Sequence, residues 1–146
     1  MNRPKAIGTA AETAVVRALR RHGFPHAERR ALTGTLDQGD VTGCVGIVFE
    51  IKGGAAAKTA SDGQVAEWLA ETERERVNAG ADIGVLVLQR AGIGAGNADR
   101  WWAVLRWQVA RPVEPDWVPV RATLADACRV LRGWGFGTPM DDEGAA

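Results

Sequence analysis

The stretch Gly39-Asp40-Val41-Thr42-Gly43-Cys44-Val45-Gly46-Ile47-Val48-Phe49-Glu50-Ile51-Lys52 decides the fold. Val45 to Ile51 is apolar at nearly every position, the pattern of a strand covered on both faces. Alternation along that strand puts Val48, Glu50 and Lys52 on one face. Asp40 would lie roughly 33 Å from Glu50 along a fully extended chain, so the two meet only if the chain turns back. Thr42-Gly43 and Gly46 are turn formers. A hairpin folded about position 45 sets Asp40 opposite Glu50, with Cβ atoms roughly 4.5–5.5 Å apart. Two carboxylates at ~5 Å repel by about 3 kcal/mol at an effective dielectric near 20. Such a pair is poor for stability and well suited to a divalent cation held between them.

Working outward, the chain has 146 residues, of which 46% are hydrophobic and 25% charged, enough apolar surface for one buried core. No apolar run approaches a membrane span, so no membrane partner is expected. The opening Met-Asn-Arg-Pro-Lys-Ala-Ile-Gly has no apolar segment before a cleavage site, and a cytoplasmic location follows as the expectation. Cys44 and Cys128 have no metal-type spacing and read as reduced core thiols, with a disulfide as the alternative. The net charge of zero gives no global sign of nucleic-acid binding. Arg3, Lys5, Arg17, Arg20, Arg21, Arg29 and Arg30 nevertheless cluster early, and a local basic patch can bind phosphate in a neutral chain. The plainer reading of these charges is a solvated face.

Periodicity predicts a helix from Thr9 to about His22, with Thr9 and Glu12 as a capping box and Gly23 as its stop. Ala27 to Leu32 reads as a strand before a Thr33-Gly34-Thr35 turn, and Lys52 to Lys58 as a mobile loop. Ser61 to Asn78 is a helix capped by Ser61 and Gln64 and ended by Gly80. Its Val65, Trp68, Leu69, Thr72 and Arg76 lie on one side, and Glu67, Glu71 and Glu75 are expected to face water. Strands follow at Ile83–Leu88 and Trp101–Trp107, separated by a Gly-rich loop from Gly92 to Gly96. Pro112, Pro115 and Pro119 break regular structure, and Thr123 to Arg132 is a short helix with Leu124, Ala127, Cys128 and Leu131 inward. This order predicts an α/β fold around a mixed sheet. Packing in the core or at a subunit interface is the default reading for the six tryptophans, with base stacking as the alternative.

Asp40, Glu50 and Lys52 form the sharpest constellation, and Glu12 joins it as a carboxylate on the apolar face of the first helix. The competing readings are an edge hairpin with a wet polar face, and a capping-box glutamate. His22 and His26 lack the spacing of a helical metal pair and read as surface or packing residues.

Glu12, Gly39-Asp40 and Glu50-Ile51-Lys52 together resemble the PD-(D/E)XK nucleases, and more narrowly the phage and archaeal Holliday junction resolvase group. Gly8-Thr9-Ala10-Ala11-Glu12, Gly23 to Arg30 and Ala79 to Val85 are similar to segments of resolvase-like proteins of actinobacterial viruses. The resemblance covers roughly Lys5 to Trp107, and it departs from the superfamily name in having Gly39 where that name places Pro. Gln64-x-x-x-Trp68 is similar to a Gln-x-x-x-Tyr element of some relatives.

The resemblance implies a restriction-endonuclease-like mixed β-sheet flanked by helices, with the nuclease core in residues 1–110. The resemblance does not explain residues 111–136, which read as a C-terminal extension with a short helix packed on that core, nor 137–146, which read as a disordered tail. It implies Mg²⁺-dependent hydrolysis of DNA phosphodiesters, with Mn²⁺ as a substitute. Asp40, Glu50, the Ile51 carbonyl and Glu12 would hold the metal, Lys52 would act on the water or the phosphate, and Gln64 would assist. Arg29, Arg30 and Lys58 would position the DNA backbone. A four-way junction has approximate two-fold symmetry, so a homodimer is expected. Its candidate interface elements are the Trp101–Trp107 strand and the last helix. The alternatives are a nuclease of the same fold on other branched or duplex DNA, and a catalytically silent DNA-binding protein.

Overall fold

The structure, a computed structural model, describes residues 3–31, 38–108 and 117–140. The expected Thr33-Gly34-Thr35 turn, Pro112, Pro115 and the end of the tail from 141 lie outside the described residues. Four strands form one mixed sheet: β3 (Ile47–Lys52), β4 (Ile83–Leu88), β5 (Trp102–Gln108) and β6 (Trp117–Thr123), side by side in that order. β3 and β4 run parallel, and the other neighbours run antiparallel. A separate two-residue ladder joins β1 (Glu28–Arg29) to β2 (Val41–Thr42).

The register puts Lys52, Leu88, Trp102 and Thr123 in one row across the sheet, and Glu50, Leu86, Val104 and Arg121 in the next. The opposite face carries Phe49, Ile51, Val85, Val87, Ala103 and Leu105. Helices α1 (Arg3–Arg21) and α4 (Leu124–Gly133) bury Val15, Leu19, Leu124 and Leu131 against that apolar face. Each of these side chains contributes about 1.5–3 kcal/mol. Helix α3 (Asp62–Ala79) covers the first face with Val65 and Leu69. The result is a sheet between two helical layers. β6 extends the sheet and α4 enters the main core.

Several local expectations differ from the structure. α1 begins at Arg3, so Thr9 lies inside the helix and caps nothing. Pro4 is the start signal, because its fixed φ and missing N–H suit a first turn. Residues Gly54–Lys58 form a short helix, α2, where a loop was expected; Ala55-Ala56-Ala57-Lys58 are good helix formers. Val45 is 90% exposed in the turn, and the buried strand starts only at Ile47. The Gly-rich loop continues into a 3₁₀ turn, Ala95–Arg100, and Trp101 is buried with its indole N–H donating to the Ile93 carbonyl at 2.9 Å. Pro119 lies within β6, which tolerates it because β6 is the last strand of the sheet. Thr138 donates its backbone N–H to the Gly23 carbonyl at 2.8 Å, which fastens the start of the expected tail to the end of α1. Cys44 and Cys128 are buried free thiols, each pushed up to about 12 by burial.

Candidate functional site

β3 is an outer strand of the sheet, and its free edge carries the site. The Gln89 N–H donates to the Lys52 carbonyl at 2.9 Å, so the Lys52 carbonyl faces β4. By alternation the peptide groups of Phe49 and Ile51 face the free edge. Asp40 sits on that edge. Its N–H donates to the Phe49 carbonyl at 2.9 Å, and its Oδ2 accepts the Ile51 N–H at 2.7 Å. The expected return of the chain therefore occurs, and Asp40 lies beside Glu50. It is held by two hydrogen bonds rather than by a regular ladder, since β2 pairs with β1. The Ile51 carbonyl shares this edge with Asp40.

Glu50 is nearly fully buried and points to the α3 side of the sheet. Lys52 Nζ lies 3.2 Å from Glu50 Oε1 and 3.4 Å from Glu71 Oε1. The same ammonium lies 5.7 Å from the centre of the Trp68 ring. Burial disfavours the charge on Lys52, but Glu50 and Glu71 outweigh it and hold its pKa above the ordinary value. Burial raises the Asp40 carboxyl, and the charge of Glu50 raises it further. The Ile51 N–H offsets part of this, Glu12 adds to it and Lys52 subtracts, leaving Asp40 at about 7.

Glu12 projects from the middle of α1 and is bound by Arg29, whose Nε lies 3.0 Å from Glu12 Oε2. Arg29 is thus engaged by a carboxylate, though exposed. Arg30 turns the other way, to Gln38 Oε1 at 3.3 Å, while its N–H donates to the Asp40 carbonyl. Lys58 ends α2 on the surface. Gln64 starts α3: its N–H donates to Ser61 Oγ at 3.1 Å, and its side chain reaches Glu67 at 3.4 Å. It does not close a reciprocal capping box, and its partner is Glu67 rather than Glu50 or Lys52. The residue of that element that meets Lys52 is Trp68.

Of the row expected to face water, Glu67 is exposed and Glu71 keeps a partly exposed side chain while reaching Lys52, but Glu75 does not face water. Glu75 is buried, and carboxylate oxygens of Glu50, Glu71 and Glu75 lie within 4.8 Å of one another. A cavity of about 400 Å³ runs along the helix beside Glu71 and Glu75. The signal was present: Glu71 and Glu75 follow Trp68 and Thr72 by three residues each, which keeps them near the inner side of the helix. Carboxylates outnumber cations across this region, and all the side-chain donors offered are oxygens, the chemistry that suits a hard divalent cation. The arrangement can hold such an ion and place an ammonium beside an oxyanion. No family model, no curated protein and no solved structure matches this chain.

Proposed function

We propose that the chain is a metal-dependent DNA endonuclease whose substrate is a four-way junction. One observation carries the nuclease reading: Asp40 and Glu50 are drawn together out of water at the free edge of a sheet, with the Lys52 ammonium fixed beside them. The residues fit Mg²⁺ or Mn²⁺. Asp40, Glu50 and the Ile51 carbonyl are oxygen donors on one edge, Glu12 adds a further carboxylate, and the mutual repulsion at Asp40 is what a bound dication reverses. When bound, the metal polarises the phosphoryl oxygens and lowers the pKa of the attacking water.

The chain's own residues supply the rest. The Ile51 N–H aims the Asp40 carboxylate. Lys52 keeps its proton at neutral pH and opposes the charge that builds on the phosphate oxygens in the transition state. Trp68 and Glu71 limit where that ammonium can go. Arg29 holds Glu12, and Arg30 and Lys58 serve the DNA backbone.

The junction reading rests on the resemblance of segments around Glu12 and Arg29-Arg30, and on a surface suited to a two-fold partner. Trp107 and Trp134 are exposed with ring centres 5.3 Å apart, and exposed Val118 is paired with Trp107 across the strands. A homodimer through β5, β6 and α4 would cover them and present two sites to opposed strands.

The test is cleavage of labelled four-way junction and linear duplex, side by side, by the wild type and Glu50→Gln. The wild type is expected to give paired symmetric nicks near the branch point only with Mg²⁺ or Mn²⁺, and Glu50→Gln to bind without cutting. No cleavage of any DNA by the wild type with either metal sinks the nuclease reading. Equal cleavage of linear duplex removes the junction alone.

A further inference from the structure

We propose that the groove between α3 and β6, walled by Trp102 and by the cations Lys58, Arg90 and Arg121, holds a DNA strand by its phosphodiester backbone. The proposal extends the nuclease reading, and rests on it only for the polymer that is delivered to Lys52.

α3 lies over β3 and β4, with its Trp68, Glu71 and Glu75 flank toward Lys52 and Glu50. The same face of the sheet continues past the helix across β5 and β6, where Trp102, Val104 and Arg121 stand in register with Leu88 and Leu86. Two cavities of about 250 and 380 Å³ lie over this part of the face, and Val65 and Arg121 line both. They form one groove along the helix.

Its charge is one-sided. The Arg90 guanidinium lies 3.9 Å from the centre of the Trp102 ring, and that of Arg121 lies 5.6 Å from it. A guanidinium laid on an indole keeps its N–H edges for acceptors in its own plane, and Arg90 uses one of them on the Arg100 carbonyl at 3.2 Å. Among the described residues, Arg90, Arg121 and Lys58 form no ion pair, whereas Lys52, Arg29, Arg76 and Arg106 each have a carboxylate. Among the described residues, three cations thus line one cavity that no acid lines, and Asp62 lines the farther part of the groove. The complement is a polyanion.

Distance favours a strand that also reaches the catalytic edge. Lys52 and Trp102 share one row of the sheet, two strand spacings or about 10 Å apart. That matches roughly three nucleotide rises of about 3.4 Å measured along the axis of a B-form duplex. Because the arginines already occupy the indole, the groove grips backbone rather than stacking bases, so binding is independent of sequence.

The experiment is fluorescence anisotropy in EDTA with a labelled oligonucleotide, single-stranded and as a duplex, across a salt series. Arg90→Ala with Arg121→Ala is compared with Arg74→Ala with Arg129→Ala, which removes the same charge elsewhere on the surface. The groove variant is expected to bind roughly 10–100-fold more weakly and to flatten the slope of log K against log salt by about two. Arg90→Lys with Arg121→Lys should keep most of the affinity, which separates charge from folding. Unchanged affinity and slope in the Ala variant overturn the proposal. So does inorganic phosphate or a mononucleotide binding as tightly as the oligonucleotide, which marks a small-anion pocket. A wild type that cuts junctions beside a groove variant that binds and cuts equally well removes the groove and leaves the nuclease. A wild type that cuts no DNA while the groove variant loses binding as expected removes the nuclease and leaves the groove.

Discussion

Gly39 has φ +92, and a Cβ there would stand 2.7 Å from Val48 Cγ1 and 3.1 Å from the Phe49 carbonyl oxygen. Proline, with φ locked near −65°, cannot adopt that conformation. Glycine rather than proline before Asp40 is therefore a requirement of this backbone. Gly39→Ala is expected to destabilise by about 1–3 kcal/mol and Gly39→Pro by more, both read by urea unfolding. On the proposed nuclease reading, either change should also slow cleavage by moving Asp40. The neighbouring residue gives a pH test. Asp40 titrates at about 7 in the fold against 3.8 ordinarily, so its folded pKa is raised. Below about pH 4 it is protonated in both states and carries no penalty. The stability present there is lost as pH rises through 7. Asp40→Asn should therefore stabilise the metal-free protein by on the order of 1–3 kcal/mol at pH 8 and by nothing at pH 3.5. Urea titrations in EDTA at the two pH values check this. Asp40, Glu50 and Lys52 were legible in the sequence because charges interrupt an apolar run. The φ of Gly39 was not, since a glycine is compatible with many conformations.

At the scale of elements, α3 shows what local sequence determines. Ser61 accepts from the Gln64 N–H, and Gly80 ends the helix at φ 63 with its N–H on the Arg76 and Val77 carbonyls. Both roles were readable, because capping chemistry needs only a few adjacent residues. Ser61→Ala should cost about 1 kcal/mol. Gly80→Ala should cost a similar ~1 kcal/mol for the left-handed conformation alone, since a Cβ there meets nothing within 4 Å. Chemical denaturation of each variant checks these values, and a loss above ~3 kcal/mol would show that the caps do more than end the helix. The burial of Glu75 and the inward reach of Glu71 were hidden for the opposite reason. Their charge argued for water, while their angular position placed them toward β3, and tertiary context decided. α2 was hidden by Gly53-Gly54, whose φ of +74 at Gly54 serves the turn out of β3 rather than a loop.

For the whole molecule, the mixed sheet and its flanking helices followed from the order of the elements. The separation of β1 and β2 from the main sheet did not, because a two-residue ladder leaves too little pattern to read. The core makes a global prediction of its own. Cys44 and Cys128 are buried, and their thiols are pushed to about 12. Neither should react with a thiol reagent at pH 8 except when the core opens, so their modification should follow global unfolding. Fast labelling of either in the native protein would reveal a local opening around α4.

The free edge of β3 has a second meaning. Ile47-Val48-Phe49-Glu50-Ile51 is a short, β-prone and mostly apolar segment, the composition of a self-assembling strand. On its open side Asp40 engages the peptide groups of Phe49 and Ile51. Asp40 thereby also denies this strand to another copy of itself, as protected sheet edges do in general. Displacing the Gly39-Asp40 segment would thus uncover a template for fibrillar pairing, and the integrity of the candidate site and the colloidal fate of the chain rest on the same two hydrogen bonds.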